Sequence, residues 1–197
     1  MAAAVLFPPE IFVDHLLIAI RDAQLRLPGS SLPYHRHARQ AAALAAADPN
    51  ASDELVAAAL LSGIGEVILR SFARHPAAND AGVGGDVDQN GRAAEVARSH
   101  LSIHFPDAVT GPIALLPWAR RYLGSTRRGP GEAATMAPLE RARFESEPGA
   151  VDAITLAVID DRAGRATMLC PPLDAYRDLL HGICLGSTRR HQLRLIS

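Results

Sequence analysis

The sequence contains no lysine, and all 20 of its basic residues are arginine. A Schiff-base enzyme, a P-loop phosphate site and a lysine general base each need that amine, so these three chemistries are excluded. The arginines are balanced by 21 acidic residues, which leaves a formal net charge of −1. Such a balance provides no broad positive field for a nucleic acid or an anionic membrane surface. We therefore expect neither of them as a partner.

Cysteine is also scarce. Cys170 and Cys184 are the only two, and they do not form a CxxC motif. We expect neither a disulfide framework nor a thiolate zinc site, and we expect a reducing compartment. The apolar start from Met1 to Phe7 lacks a basic segment, and no run reaches the ~18 uncharged apolar residues of a membrane-spanning helix. The sequence thus predicts a cytoplasmic protein.

Alanine, by contrast, is abundant, with 36 copies among 197 residues. Apolar residues recur at steps of three and four, which is typical of helices, and the length suits one domain. The pattern predicts an all-α fold, with an N-terminal helix in residues 1–29, a main domain over 30–184 and a basic, frayed tail over 185–197. Helices are predicted over 9–25, 34–47, 52–61, 64–72, 91–105, 106–123, 138–145, 149–161 and 173–183. Polar loops are predicted over 75–90 and 124–135.

The helix at residue 52 has the clearest start. Ser52 can cap the first amide groups, and Asp53 and Glu54 lie where the helix dipole favours negative charge. Gly63 and Gly65 interrupt the apolar pattern that follows. Each glycine costs about 1 kcal/mol relative to alanine inside a helix, so we expect a separate reason for both.

Several local patterns occur in unbroken order between about residue 30 and residue 180. They are HARQAA at 37–42, SDELVAAALL at 52–61 with Ile64-Gly65, FPDAVTGPI at 105–113, RYL at 121–123, FESEP at 144–148, Asp160-Asp161, and PPL at 171–173 with Tyr176-Arg177. Together they resemble the HD superfamily of helical metalloenzymes, most closely the HD-domain oxygenases that cleave organophosphonates. The resemblance implies a single HD-type helical bundle.

That family holds two irons through histidine and aspartate ligands from separate helices, with one aspartate bridging the metals. Only His37 and Asp160 match this ligand set. The positions at which the resemblance implies the other ligands hold Ser62, Gly63, Glu66, Ala93 and Leu116. Two ligands without the bridging carboxylate cannot hold a di-iron pair. We therefore expect no metal cofactor, although the family would imply iron.

The substrate side of the resemblance is also incomplete. Arg120 matches the basic residue that binds the phosphonate, whereas Ala157 stands one turn before Asp160 where an arginine is expected, and the segment before Met136 is shortened. A guanidinium can hold an oxyanion, so Arg120 is a candidate anion-binding residue. A surface or helix-packing role for Arg120 is the alternative.

A metal site at other residues is an alternative. His100 and His104, four residues apart, would share one helix face and form half of a site, but they lack the glutamate of an HExxH motif. For His37, a hydrogen-bonded interior histidine is the preferred interpretation. Trp118 is expected to fill the core.

These observations predict a non-catalytic relative of the family with a binding, regulatory or accessory role, whose partner is a small anionic ligand or another protein. Four of the five positions at which the resemblance implies further metal ligands hold small or apolar residues, namely Ser62, Gly63, Ala93 and Leu116. A metal-free core requires this, because unpaired buried polar groups are costly. The alternative is an enzyme acting on a small anion. It would use a relocated metal, or it would use His37, Asp160 and Arg120 without metal, provided that the imidazole and the carboxylate lie within about 3.2 Å.

Overall fold

The computed structural model describes residues 8–27, 30–73, 86–127, 136–165 and 168–194. Within these ranges every regular element is helical, which confirms the predicted all-α fold. The α-helices are α1 (Pro9–Asp22), α2 (Tyr34–Ala46), α3 (Asp53–Leu61), α4 (Ile64–Ala73), α5 (Asp86–Leu101), α6 (Asp107–Arg127), α7 (Pro138–Ser146), α8 (Ala150–Ala163) and α9 (Arg177–Arg194). A 3₁₀ helix, Leu173–Tyr176, leads directly into α9. None of the described helices is both long and apolar enough to cross a membrane.

Helix α6 lies at the centre of the bundle. It packs against α3, α5, α7 and α8, while α2 packs against α3 and α8. The buried face of α6 carries Val109, Ile113, Leu116 and Ala119. This arrangement packs α6, which carries Arg120, against α8, which carries Asp160.

Helices α1 and α9 pack together on one side of the bundle. Arg21 on α1 bonds Asp174 at 2.9 Å, and Arg177 on α9 forms an ion pair with Asp14 on α1. The apolar face of α1, which includes Phe12 and Leu16, belongs to the same core as the rest of the chain. The N-terminal helix is therefore an integral part of the bundle.

Two helix starts follow directly from local sequence. The Ser52 hydroxyl accepts a hydrogen bond from the Leu55 amide at 3.1 Å, which confirms the predicted cap of α3. Gly149 precedes α8 with a φ of 87°, a left-handed conformation that costs glycine little and other residues more.

Gly63 and Gly65 are explained by close packing. A β-carbon at Gly65 would lie 1.9 Å from the carbonyl oxygen of Ala93, so α4 approaches the backbone of α5 directly. A β-carbon at Gly63, in the turn between α3 and α4, would lie 2.6 Å from the Tyr34 ring and 2.9 Å from both terminal carbons of Leu27. Both positions lack the space for any side chain.

Some predicted boundaries are wrong. Helix α1 ends at Asp22, and the extended residues after it, including Leu25 and Leu27, bury their side chains in the core. Helix α9 continues to Arg194, so residues 185–194 are not a frayed tail. Buried Leu180 and Cys184 anchor this helix, and no proline follows to stop it.

Helices occupy part of each of the two predicted loops. Helix α5 begins at Asp86 and α6 extends to Arg127. The remainder of the predicted loops, residues 75–85 and 128–135, lies outside the described residues. Trp118 does not fill the core as expected, because 40% of its surface is exposed.

Candidate functional site

A buried hydrogen-bond network joins three helices at the residues His37, Asp160 and Arg120. The Nε2 of His37 on α2 lies 2.9 Å from Oδ1 of Asp160 on α8. The second oxygen of Asp160 accepts a hydrogen bond from Arg120 on α6 at 2.7 Å. The structure thus brings together the three residues that the sequence analysis singled out as the residual family site and the anion-binding candidate.

Ser30, in the segment before α2, extends this network and was not predicted. Its hydroxyl lies 3.2 Å from Nδ1 of His37, and it accepts a hydrogen bond from the Leu32 amide at 3.2 Å. Because the Asp160 carboxylate can only accept, the proton of a neutral His37 lies on Nε2, and the Ser30 hydroxyl then donates to Nδ1. Both imidazole nitrogens are therefore engaged by protein groups.

The charges of the network compensate each other. Burial by itself would raise the pKa of the Asp160 carboxyl, but the hydrogen bond from His37 and the charge of Arg120 outweigh burial and hold that pKa below its ordinary value. The side chain of His37 is only 2% exposed and that of Asp160 11%, whereas the Arg120 side chain is 38% exposed. The carboxylate is thus a buried anion that remains charged because His37 donates a hydrogen bond to it and the partly exposed guanidinium of Arg120 lies beside it.

Tyr34 lies next to this network and was also missed by the sequence analysis. Its hydroxyl is fully buried beside the Gly63 backbone and the charge of Asp160. Burial, and secondly the negative charge of Asp160, raise the pKa of this hydroxyl far above its ordinary value. Tyr34 is therefore a neutral phenol that fills space beside the buried carboxylate.

A small cavity of about 30 Å³ is lined in part by Arg120. It is enough for about two water molecules. Its lining comes mainly from α4, α5, α6 and the turn after α3, and consists of Leu27, Ser62, Gly63, Glu66, Ala93, Ala94, Ile113, Leu116, Pro117 and Arg120. All five positions at which the resemblance implies missing metal ligands are in this list. His37 and Asp160 are not among the lining residues, so the positions that the resemblance assigns to one site are divided between the cavity and the buried network.

The residues at this place do not fit the iron that the resemblance implies. Glu66 is the only cavity-lining residue with a carboxylate or imidazole, and Arg120 brings a positive charge into the same lining. Asp160 is bonded to Arg120 and His37. Among the residues that the structure describes, no group of three or more histidine, cysteine, aspartate or glutamate side chains could hold a metal ion.

His100 and His104 do not share a helix face as predicted. Helix α5 ends at Leu101, and His104 lies in the turn that follows. Both imidazoles instead pack against Phe12 of α1, with ring centroids 5.3 Å and 4.5 Å away. Burial, and secondly the charge of His104, lower the pKa of His100, and burial lowers the pKa of His104. The two rings therefore serve as packing groups in their neutral form.

The two remaining substrate-side positions are apolar and buried. Ala157 lies one turn before Asp160 with 3% of its surface exposed, and Met136 precedes α7 with 4% exposed. Neither adds a positive charge near Arg120. A search against protein-family models and a search of curated proteins found no match to this chain.

Proposed function

We propose that this chain is a non-catalytic relative of the HD-type helical metalloenzymes, with a binding, regulatory or accessory role. The observation that carries the proposal is the cavity of about 30 Å³. Five positions between residues 62 and 116, selected from the sequence only because the resemblance implies ligands there, line this one space together. Their convergence supports the correspondence with the family site. Their side chains supply one carboxylate and no imidazole.

The space around the former ligand positions is filled as well. Tyr34 and Leu27 occupy the place that a side chain at Gly63 would need. A ligand at that position would have to displace a buried ring. Packing has thus replaced the room for metal ligands, which supports the loss of metal-dependent chemistry.

The polar groups of the buried network form hydrogen bonds with each other. Asp160 bonds both His37 and Arg120, and Ser30 occupies the second nitrogen of His37. Buried ionic groups arranged in this way are retained without catalysis, because removing any one of them leaves the others unpaired. The network acts as a tie between α2, α6 and α8.

Metal analysis tests this proposal. The full chain is expressed in medium supplemented with iron, manganese and zinc, purified without chelator and analysed for all three elements. We expect well below one metal per chain, and the same trace level in His37→Gln. About two metals per chain in the wild type, lost in His37→Gln, would overturn the proposal.

A second candidate function is a metal-free enzyme that acts on a small anion. The observation that favours it is the distance of 2.9 Å between Nε2 of His37 and Oδ1 of Asp160, which suits a base and the group that orients it. A substrate would have to reach Nδ1 of His37 by displacing Ser30, or react through the Ser30 hydroxyl.

Thermal unfolding in inorganic phosphate tests the anion binding that the metal-free enzyme requires. A ligand held by Arg120 raises the melting temperature as its concentration exceeds Kd, and Arg120→Ala abolishes that rise. Arg121→Ala is the matched control, because Arg121 is the neighbouring arginine and pairs with Glu140 instead. The absence of a rise that depends on Arg120 would count against the enzyme.

A further inference from the structure

A second cavity, of about 300 Å³, lies between α6 and α7. This volume is at the lower end of the ~300–1,000 Å³ typical of small-molecule sites, so it suits a ligand of amino-acid size. Its lining consists of Leu115, Trp118, Glu140, Arg143, Phe144 and Glu147. We call it the α6–α7 groove. It shares no lining residue with the cavity beside Arg120.

The floor of the groove is aromatic and held in place. Trp118 is 40% exposed, although a large apolar ring is usually more buried, and Phe144, which also lines the groove, is 3% exposed. The Arg121 guanidinium lies 5.1 Å from the indole centroid and is bonded to Glu140 at 3.3 Å. Glu140 also accepts from the Ala137 amide at 3.1 Å. The indole is therefore positioned by a fixed cation and offers a rigid surface for stacking.

Two opposite charges remain at the rim. Glu140 is engaged as just described, whereas the side chains of Arg143 and Glu147 have no ion pair or hydrogen bond with any described residue. Arg143 lies in the last turn of α7, Glu147 is the first residue after that helix, and both line the same groove. The groove thus presents one guanidinium and one carboxylate above an aromatic floor.

We propose that the α6–α7 groove binds a zwitterionic aromatic amino acid. The ligand carboxylate pairs with Arg143, its ammonium group pairs with Glu147, and its ring lies against Trp118 and Phe144. A ligand that carries only a carboxylate is repelled by Glu147, and a ligand that carries only an amine is repelled by Arg143. Charge complementarity therefore selects the zwitterion. This site goes beyond the proposed function, since it stands whether or not the family metal centre has been lost.

The only tryptophan of the chain provides the assay, because its emission reports on this groove alone. The full chain is titrated with L-phenylalanine, and we expect a saturable change in Trp118 emission. Phenethylamine and 3-phenylpropionate, which each carry one of the two charges, bind at least about tenfold more weakly. Arg143→Gln and Glu147→Gln each weaken L-phenylalanine binding by a similar factor. The exposed α5 residues provide matched controls, and Glu95→Gln and Arg98→Gln leave binding unchanged.

Titration calorimetry in parallel detects binding that does not alter the emission. The absence of saturable binding by both methods up to about 10 mM L-phenylalanine, well above a millimolar Kd, would overturn the proposal. Equal binding of the three ligands, or unchanged binding in both rim variants, would also overturn it. A high metal content would refute the proposed function and leave this site untouched, so the two failures are distinguishable.

Discussion

The close approach of α4 to α5 at Gly65 predicts that even one added methyl group damages the fold. In Gly65→Ala the new β-carbon would lie 1.9 Å from the Ala93 carbonyl oxygen and 2.7 Å from its carbonyl carbon, whereas ordinary contact begins at 3.4 Å. Both atoms belong to the backbone and cannot rotate away. The two helices must separate by more than an ångström, or the start of α4 must unwind.

The expected cost follows from two opposing effects. Overpacking of a core costs about 1–3 kcal/mol, and the rigid backbone at Ala93 favours the upper end of that range. Replacing glycine by alanine in a helix returns about 0.5–1 kcal/mol. We expect a net loss of about 2 kcal/mol, which lowers the melting temperature of a chain of this size by roughly 4–8 °C. Urea unfolding and thermal melts measure both quantities.

Two other glycines provide the controls for this prediction. Gly124 on α6 and Gly182 on α9 have no atom within 4 Å of an added β-carbon. Gly124→Ala and Gly182→Ala should therefore stabilise the chain by about 0.5–1 kcal/mol, mainly through the unfolded state. If Gly65→Ala proves as stable as these two variants, the close helix contact is not present and the reasoning is refuted.

Three further predictions concern the buried network, the histidine pair and metal. Asp160→Ala should cost about 3–5 kcal/mol in urea unfolding because it leaves His37 and Arg120 without their shared acceptor, and Arg120→Ala should also destabilise the chain because it leaves the buried Asp160 carboxylate with His37 alone; unchanged stability in both variants would show that this network does not tie the helices together. Because the folded state lowers the pKa of His100 and His104, stability is fully present above their unfolded pKa of about 6.5 and is lost as the pH falls through the lower folded values. Urea unfolding at several pH values should show this loss of stability, and His104→Leu should make the loss smaller. If the free energy of unfolding does not change as the pH falls below about 6.5, the packing role of the two histidines is contradicted. Finally, a chelator should leave the melting temperature unchanged, unlike that of a chain whose folding is coupled to metal binding, and a fall of several degrees would argue for a bound metal.

The helical class could be predicted because it depends on local features. Apolar residues at helical spacing, abundant alanine and the Ser52 cap act within a few residues of each other. The end of α9 could not be predicted in this way. Its continuation to Arg194 depends on Leu180 and Cys184 being buried by other helices, and nothing near residue 185 in the sequence signals that anchoring.

The candidate site could be predicted only in part, for a similar reason. His37 and Asp160 are 123 positions apart, and only the family resemblance suggested that they act together. Ser30 and Tyr34 were missed because a hydroxyl's contacts depend on how the helices pack. Gly63 and Gly65 did carry a signal, since two glycines in an apolar segment require an explanation, but their partners Leu27, Tyr34 and Ala93 are distant in the chain.

The filling of the space beside Gly63 by Leu27 and Tyr34 also restricts the order in which this sequence can change. Shortening Leu27 removes two of the obstructing carbons but leaves the Tyr34 ring 2.6 Å from the β-carbon position. A side chain at position 63 is therefore tolerated only in a background where positions 27 and 34 have both been reduced, and that background itself contains a destabilising void. Substitutions at these three sites are epistatic. A single substitution that adds a side chain at position 63 collides with both Leu27 and Tyr34, and each intermediate on a longer mutational route is less stable than the present chain.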